Sequence, residues 1–419
     1  MNGSTGRRRL MALLGGLAGI ALIAPAWADQ APSFTSLLKQ AQNSPRVKAL
    51  DADIDRAGGL SEQAHARPNP TVSVYSENLA GSSPYNGFDR TETTFQVNQP
   101  IEIGGKRSAR IAAAEAGVAA AQLRGRAGRI AFAHELALAY GAVELAERRI
   151  GIAEDEVEEA EAVLGLARAL VNAGKETRLR TLQAETEVNA AQAALEGTRA
   201  TRTATLARLS ALAGVAIPFT GISESLLDRM TPHRGAGPSD PMQNAGLLAA
   251  LADRDAAARR VTAERKRATP DITGQLGVRR LQGDRATALV AGISLPLNLF
   301  DRNKGNIAAA QADLRGADAR AATAKLDAEA NAQTALALVD AADARFKAAE
   351  RTMTTAQETY RLARIAYEAG KSPLSELLIA RHGLGAARAI VTDAAAARLD
   401  ARAQLASLQG LAITGEPVQ

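Results

Sequence analysis

Residues 110–116 carry the sequence Arg-Ile-Ala-Ala-Ala-Glu-Ala, and residues 306–312, 196 positions later, carry Asn-Ile-Ala-Ala-Ala-Gln-Ala. The same offset relates Ala173-Gly174-Lys175 to Ala369-Gly370-Lys371. Self-similarity that keeps one register over several hundred residues indicates a duplicated architecture. We therefore divide the chain into a first repeat at 29–213, a connector at 214–239, a second repeat at 240–410 and a C-terminal tail at 411–419.

Each repeat is predicted to contain a helix, a β-hairpin, a long helix, a turn and a second helix. Apolar residues alternate with polar or small ones at about 71–103 and 271–299, which predicts the two hairpins. No proline interrupts the stretch from Gly105 to about Asn172, which predicts a rod on the order of 100 Å. Glycine ends this helix near 174 and its counterpart near 370.

Proline positions predict the start of the first helix in each repeat. Ser44-Pro45 and Asp240-Pro241 both place a capping residue before a proline at the first helical position. Within the connector, Glu224–Met230 has the composition of a short helix. The rest of the connector is rich in Gly and Pro, so it either packs on the outside of the fold or forms a loose linker.

The N-terminus has the features of an export signal. Arg7–Arg9 precede an apolar stretch, Leu10–Ala24, and Ala26-Trp27-Ala28 fits the small-x-small cleavage rule. A membrane anchor is the alternative, but the apolar run is short for a span. We therefore predict a signal peptide at 1–28, removed during export.

Composition excludes several functional classes. The 419 residues contain no Cys, which excludes disulfides, thiolate zinc sites and a cysteine nucleophile. The formal net charge of +5 falls to about +2 without Arg7–Arg9, and charges of both signs are interspersed, so nucleic-acid binding is not indicated. Only 3% of the residues are aromatic, which favours long, closely packed Ala-rich helices over a bulky globular core.

Four strands per chain cannot close a barrel. An open sheet in lipid leaves its edge N–H and C=O groups unpaired, at a cost of several kcal/mol each. If the hairpins enter a membrane, several chains must share one sheet: two chains would supply eight strands and three would supply twelve. The alternative is a soluble four-stranded sheet packed on helices.

The segments that follow the two hairpins resemble a known family. Gln99-Pro100-Ile101-Glu102-Ile103-Gly104-Gly105-Lys106-Arg107 and Leu295-Pro296-Leu297-Asn298-Leu299-Phe300-Asp301-Arg302 are similar to junctions of TolC-type outer membrane factors, in the CzcC-like branch of heavy-metal and cation efflux. The resemblance covers nearly the whole mature chain. It implies a mainly α fold with a membrane β-hairpin portion, which as a homotrimer forms a twelve-stranded outer-membrane β-barrel continuous with a long periplasmic α-helical barrel.

The resemblance also implies partners and functional residues. Such channels pair with a periplasmic adaptor and an inner-membrane pump, often of the resistance-nodulation-division (RND) type, and the adaptor docks at the helical tips. We therefore assign docking to Ala173, Gly174, Lys175, Ala369, Gly370 and Lys371. Glu376 matches the family's entrance carboxylate, and its first-repeat counterpart is Arg180. The barrel-to-helix junctions fall at Gly104, Gly105, Lys106, Arg107, Phe300, Asp301 and Arg302.

No enzyme, cofactor or metal site is predicted. His65, His134, His233 and His382 are scattered, and no two lie three or four residues apart on one helix. The leading prediction is a passive outer-membrane exit duct of a tripartite efflux system, carrying heavy-metal cations. A drug or protein export duct of the same fold is one alternative, and a periplasmic adaptor is another.

Overall fold

A computed structural model describes residues 29–229 and 240–418 of the protein. The predicted signal peptide and part of the connector, 230–239, lie outside the described residues. The described part contains seven α-helices and four strands: α1 Phe34–Ala41, α2 Pro45–His65, β1 Thr71–Glu77, β2 Glu92–Ile101, α3 Lys106–Asn172, α4 Arg178–Ala213, α5 Ala245–Arg267, β3 Ile272–Leu281, β4 Ala286–Ser294, α6 Lys304–Glu368 and α7 Leu374–Leu408.

Two very long helices set the dimensions of the molecule. α3 has 67 residues and α6 has 65, so each is on the order of 100 Å long. α3 packs against α4, α2, α5 and α7, and α6 packs against α7 and α5. No helix within 29–229 or 240–418 is both long and apolar enough to cross a bilayer.

The four strands form one antiparallel sheet in the order β1-β2-β3-β4. The inner pair, β2 and β3, joins the two repeats, with Phe95 opposite Val278. β1 and β4 therefore form the two edges of the sheet within the chain.

The buried core is distributed along the helices. Near the middle of α3, the residues from Ile130 to Leu145 pack against α1, the end of α4 and the C-terminal tail. A second cluster lies near the tips of the two α-helical hairpins and includes Leu164, Tyr367 and Leu377. Alanine supplies much of both clusters, which brings helix axes close together at a small buried area per residue.

Two local expectations are corrected. Pro241–Gln243 form a 3₁₀ turn and α5 begins at Ala245, because the Asn244 side chain caps it by accepting the N–H of Leu247 at 3.1 Å. Residues 224–229 form turns, not the predicted helix, since the Glu144 carboxylate accepts the N–H groups of Leu226 and Leu227 at 2.9 and 3.1 Å. Of the two alternatives for the connector, its described part follows the first and packs against the fold.

Candidate functional site

The outward face of the sheet is a continuous apolar surface. One row across the four strands consists of Val72, Val97, Leu276 and Ala291, and the next consists of Val74, Phe95, Val278 and Leu289. Most of these side chains are exposed, with Leu289 at 77%. An exposed apolar surface of this size must be covered by lipid or by another protein.

The opposite face of the sheet is polar and hydrogen-bonded. Asn98 accepts from Gln96 at 2.9 Å and donates to the Ser73 hydroxyl at 2.9 Å. At the hairpin end, Arg279 donates to Glu92 at 3.0 Å and lies 3.4 Å from a Glu77 oxygen. This face therefore suits water, and its strand positions carry one arginine against two carboxylates.

The first hairpin-to-helix junction is closed by internal contacts. Gly104 and Gly105 both have positive φ, and a Cβ on Gly104 would come within 2.9 Å of Cγ2 of Thr269. Lys106 Nζ lies 2.6 Å from an Asp271 carboxylate oxygen, so this ion pair joins the two repeats. Arg107 donates to the carbonyl of His65 at 2.8 Å, which satisfies the last turn of α2.

The second junction is built differently. Asn303, and not a glycine, takes the left-handed conformation before α6, at φ 57°. Its side chain donates to the carbonyl and the carboxylate of Glu264 at 2.8 and 2.7 Å. Asp301 accepts the N–H of Asn303 at 2.9 Å, whereas Phe300 is 98% exposed and Arg302 is exposed. This junction therefore leaves its apolar and basic side chains in solvent.

The two helical tips have the same backbone geometry. Gly174 and Gly370 lie at φ 69° and 67°, where glycine is strain-free. The N–H of Lys175 donates to the carbonyl of Leu170 at 2.9 Å, and that of Lys371 donates to Ala366 at 2.9 Å. Both helices thus end in a Schellman-type cap. Ala173, Lys175, Ala369 and Lys371 are all exposed.

The two entrance candidates have separate surroundings within one chain. Glu376 is exposed in the first turn of α7, where a carboxylate is favoured by the helix dipole. Arg180 pairs with Glu176 at 3.6 Å and donates to Gln183 at 3.1 Å. Within the described chain no ion pair joins Arg180 to Glu376. A ring of both residues would have to form between subunits.

A set of α7 arginines was missed by the sequence reasoning. Arg381 is 6% exposed and contacts Glu187 of α4, and Arg388 donates to Glu159 of α3 at 3.1 Å. Arg402 donates to Asp343 of α6 at 2.8 Å. The signal was present in the sequence, because 381, 388 and 402 differ by seven or by a multiple of seven, which places them on one helix face.

Burial and pairing shift the pKa of these carboxyl groups in opposite directions. Burial raises the pKa of Glu159 despite the neighbouring Arg388. Burial also acts on Asp343, but the hydrogen bonds and charges of Arg402 and Arg398 outweigh it and lower its pKa. The pKa of each carboxyl group therefore depends on how α7 packs against α3 or α6.

Among residues 29–229 and 240–418, no group of three or more His, Asp or Glu side chains is arranged to hold a metal ion. His65 pairs with Glu115 at 3.6 Å, and His382 pairs with Glu187 at 3.2 Å. The two histidines are far apart in sequence and have no acidic partner in common. His233 lies outside the described residues.

Comparison with known proteins identifies the family. The family model described as "Outer membrane efflux protein" matches residues 37–215 and 242–411. The chain belongs to this family. It is therefore an outer membrane efflux channel and not an enzyme, and the predicted resemblance is confirmed.

Curated relatives and solved structures agree with this family assignment. The chain is 40% identical to the nickel-cobalt-cadmium resistance protein NccC of Alcaligenes xylosoxydans over 91% of this chain and 87% of the relative. It is 31% identical to the cobalt-zinc-cadmium resistance protein CzcC of Cupriavidus metallidurans over 82% and 81%. The open-state MtrE outer membrane channel of Neisseria gonorrhoeae superposes with a TM-score of 0.73 at 19% identity, covering 92% and 90% of the two chains. The predicted fold class is confirmed.

Proposed function

We propose that three copies of this chain form the outer-membrane exit duct of a tripartite efflux system for heavy-metal cations. The duct is passive: a periplasmic adaptor and an inner-membrane pump of the RND type supply the driving force. The metal assignment is supported by the relatives NccC and CzcC, which are named as nickel, cobalt, zinc and cadmium resistance proteins.

The observation that carries the duct proposal is the four-stranded sheet with one apolar and one polar face. Its edges, β1 and β4, end within the chain, so their backbone groups need partners in lipid. Pairing β4 of one copy with β1 of the next in three copies gives twelve strands, enough for a water-filled lumen lined by the polar face.

We further propose that the two repeats, 29–213 and 240–410, derive from one ancestral unit. Helix, hairpin, long helix, tip and second helix recur in the same order in both. The connector, 214–239, and the tail, 411–419, complete this domain division.

The tips Ala173–Lys175 and Ala369–Lys371 are the proposed docking points for the adaptor. They support this role because they are exposed, share one cap geometry and end the long hairpins away from the sheet. Near the second tip, Glu376 narrows the entrance electrostatically, and Arg180 of a neighbouring copy faces it.

The entrance proposal is tested by single-channel recording in planar bilayers. Glu376→Ala should raise conductance or lower the cation preference, because it removes three carboxylates from one narrow ring. Asp400→Ala is the matched control, since Asp400 is an exposed acid on the same helix, 24 residues further on. No change in either property for Glu376→Ala would refute the entrance role.

The cargo proposal is tested in a strain that lacks the gene. Loss of growth on nickel, cobalt, zinc or cadmium salts, restored by the wild-type gene, is the expected result. Normal growth on all four metals together with drug hypersensitivity would favour the alternative of a drug export duct. The periplasmic adaptor alternative is set aside, since the family match covers both repeats.

A further inference from the structure

The apolar face of the sheet continues beyond the end of β4. Leu289 and Ile293 on β4 are 77% and 80% exposed, and Leu297 and Leu299 keep the same alternation at 72% and 62%. The chain stays in strand conformation to Ser294, and the N–H of Leu299 then donates to the carbonyl of Leu297 at 2.8 Å, so the chain turns just before Phe300. The apolar surface therefore ends next to the fully exposed ring of Phe300.

Basic side chains lie directly beyond this end of the apolar surface. Arg302 and Lys304 follow Phe300, and Arg265 and Lys266 occupy the last turn of α5. The two segments are in contact, because Asn303 donates to the Glu264 carbonyl at 2.8 Å, one residue before Arg265. Asn298 also donates to the carbonyl of Ala268 at 2.6 Å. Four exposed cations thus lie on two contacting segments at this end of the apolar surface.

Nearby carboxylates do not neutralise these cations. Glu264 contacts Asn303 and lies 3.6 Å from Arg267, and Asp301 accepts the N–H of Asn303. Asp271 is engaged by Lys106 at 2.6 Å. Within the described chain no ion pair involves Arg265, Lys266, Arg302 or Lys304, and all four are exposed.

The corresponding cations of the first repeat are used inside the protein. Lys106 pairs with Asp271, Arg110 pairs with Glu102, and Arg107 caps α2 through the carbonyl of His65. Of the two junctions, the second combines exposed cations with exposed leucine and phenylalanine side chains. An apolar surface bordered by free cations is complementary to a phospholipid with a negatively charged headgroup.

We propose that this surface, formed by Arg265, Lys266, Arg302, Lys304, Leu297, Leu299 and Phe300, binds anionic phospholipid in the periplasmic leaflet of the outer membrane. The guanidinium and ammonium groups contact the headgroup phosphate, and the apolar side chains contact the upper acyl chain. The inference rests on the proposed membrane insertion of the sheet. It adds a lipid preference and confines that preference to the second repeat.

The test reconstitutes the full mature protein into nanodiscs of phosphatidylethanolamine with one-fifth phosphatidylglycerol, and measures the lipids retained on the trimer by native mass spectrometry. Wild type should retain phosphatidylglycerol over phosphatidylethanolamine at a ratio about fivefold above the bulk ratio, the factor given by about 1 kcal/mol for one cation at an anionic surface. The combined variant Arg265→Gln/Lys266→Gln/Arg302→Gln/Lys304→Gln should retain the two lipids at the bulk ratio.

A matched control removes the same charge elsewhere. Arg315, Arg320, Arg345 and Lys347 are exposed cations of α6, and their combined replacement by Gln should leave retention at the wild-type value. Inorganic phosphate in excess should not displace the lipid, because it lacks the acyl contact; displacement would assign the surface to free phosphate and overturn the inference.

The two proposals fail in distinguishable ways. Equal retention by wild type and the junction variant overturns the lipid site, while trimers in the nanodisc still support the duct. Dissociation of the junction variant in nanodiscs without phosphatidylglycerol would place the cations at a subunit contact and also overturn the lipid site. Failure of wild type to enter any nanodisc would refute the duct itself.

Discussion

Gly141 lies where α3 packs closely against α7. A Cβ built there overlaps Cδ2 of Leu399 on α7 and lies 3.3 Å from its Cγ. Leu399 is 2% exposed and belongs to the central core cluster, so its side chain has no room to swing away. Gly141→Ala should gain about 1 kcal/mol in helix propensity and lose about 1–3 kcal/mol through overpacking. We expect a net loss of about 1 kcal/mol in the free energy of unfolding.

Gly151 and Gly165 are matched controls on the same helix, because nothing lies within 4 Å of a Cβ at either position. Gly151→Ala and Gly165→Ala should each raise the free energy of unfolding by about 0.5–1 kcal/mol. The measurement is equilibrium denaturant unfolding of the purified protein in detergent, followed by far-ultraviolet circular dichroism. In a Leu399→Ala background, Gly141→Ala should become stabilising, since the overlapping methyl group is gone. If Gly141→Ala stabilises the wild-type chain as much as Gly151→Ala does, the close α3–α7 contact is wrong.

Three further predictions follow from buried or lumen-facing groups. Arg279→Gln should raise the cation-to-anion permeability ratio measured from reversal potentials, because it leaves two carboxylates unpaired on the polar face; Arg280→Gln, on the opposite face, should not, and equal effects would contradict the assignment of the lumen. Glu144→Ala should cost about 2–3 kcal/mol and speed proteolysis of the connector, since the 4% exposed carboxylate accepts two connector N–H groups; unchanged digestion would argue against this anchor. Burial, followed by the charge of Glu144, raises the pKa of Tyr140 from 10.0 to about 12, so wild type should lose stability relative to Tyr140→Phe as the pH rises from 10 to 12 and not below 10. Parallel unfolding curves for the two proteins over that range would contradict the shift.

Helix bounds could be predicted wherever backbone chemistry decides them. Gly105 and Gly174 enclose a stretch without proline, and α3 occupies Lys106–Asn172 between them. The strands were predictable from two-residue alternation, because each side of the sheet meets a different environment. These signals depend only on residues close together in sequence, so a single amino-acid sequence is enough to detect them.

Features that depend on distant partners were not predictable. Residues 224–229 have a helical composition, but Glu144, about 80 positions earlier, supplies acceptors for their N–H groups and holds them in turns. The sequence analysis made no prediction for the α7 arginines, because their partners are carboxylates on α3, α4 and α6, far away in sequence. Arg180 was predicted only as the first-repeat counterpart of Glu376, and within the chain it pairs with Glu176, one turn away. The docking and entrance residues stay predictions.

The two halves of this chain share one order of elements but differ at their junctions. The sheet needs both hairpins, because only β2 and β3 together join the repeats into a single surface. The two hairpin-to-helix junctions, in contrast, need not have the same structure. In the first repeat, the cations after the hairpin hold α2 and the second repeat in place, which fixes the angle between sheet and helices. In the second repeat, the uncharged Asn303 side chain links the junction to Glu264 of α5, and the cations take part in no ion pair within the described chain. We therefore expect the free cations beside the apolar surface to contact the lipid headgroups.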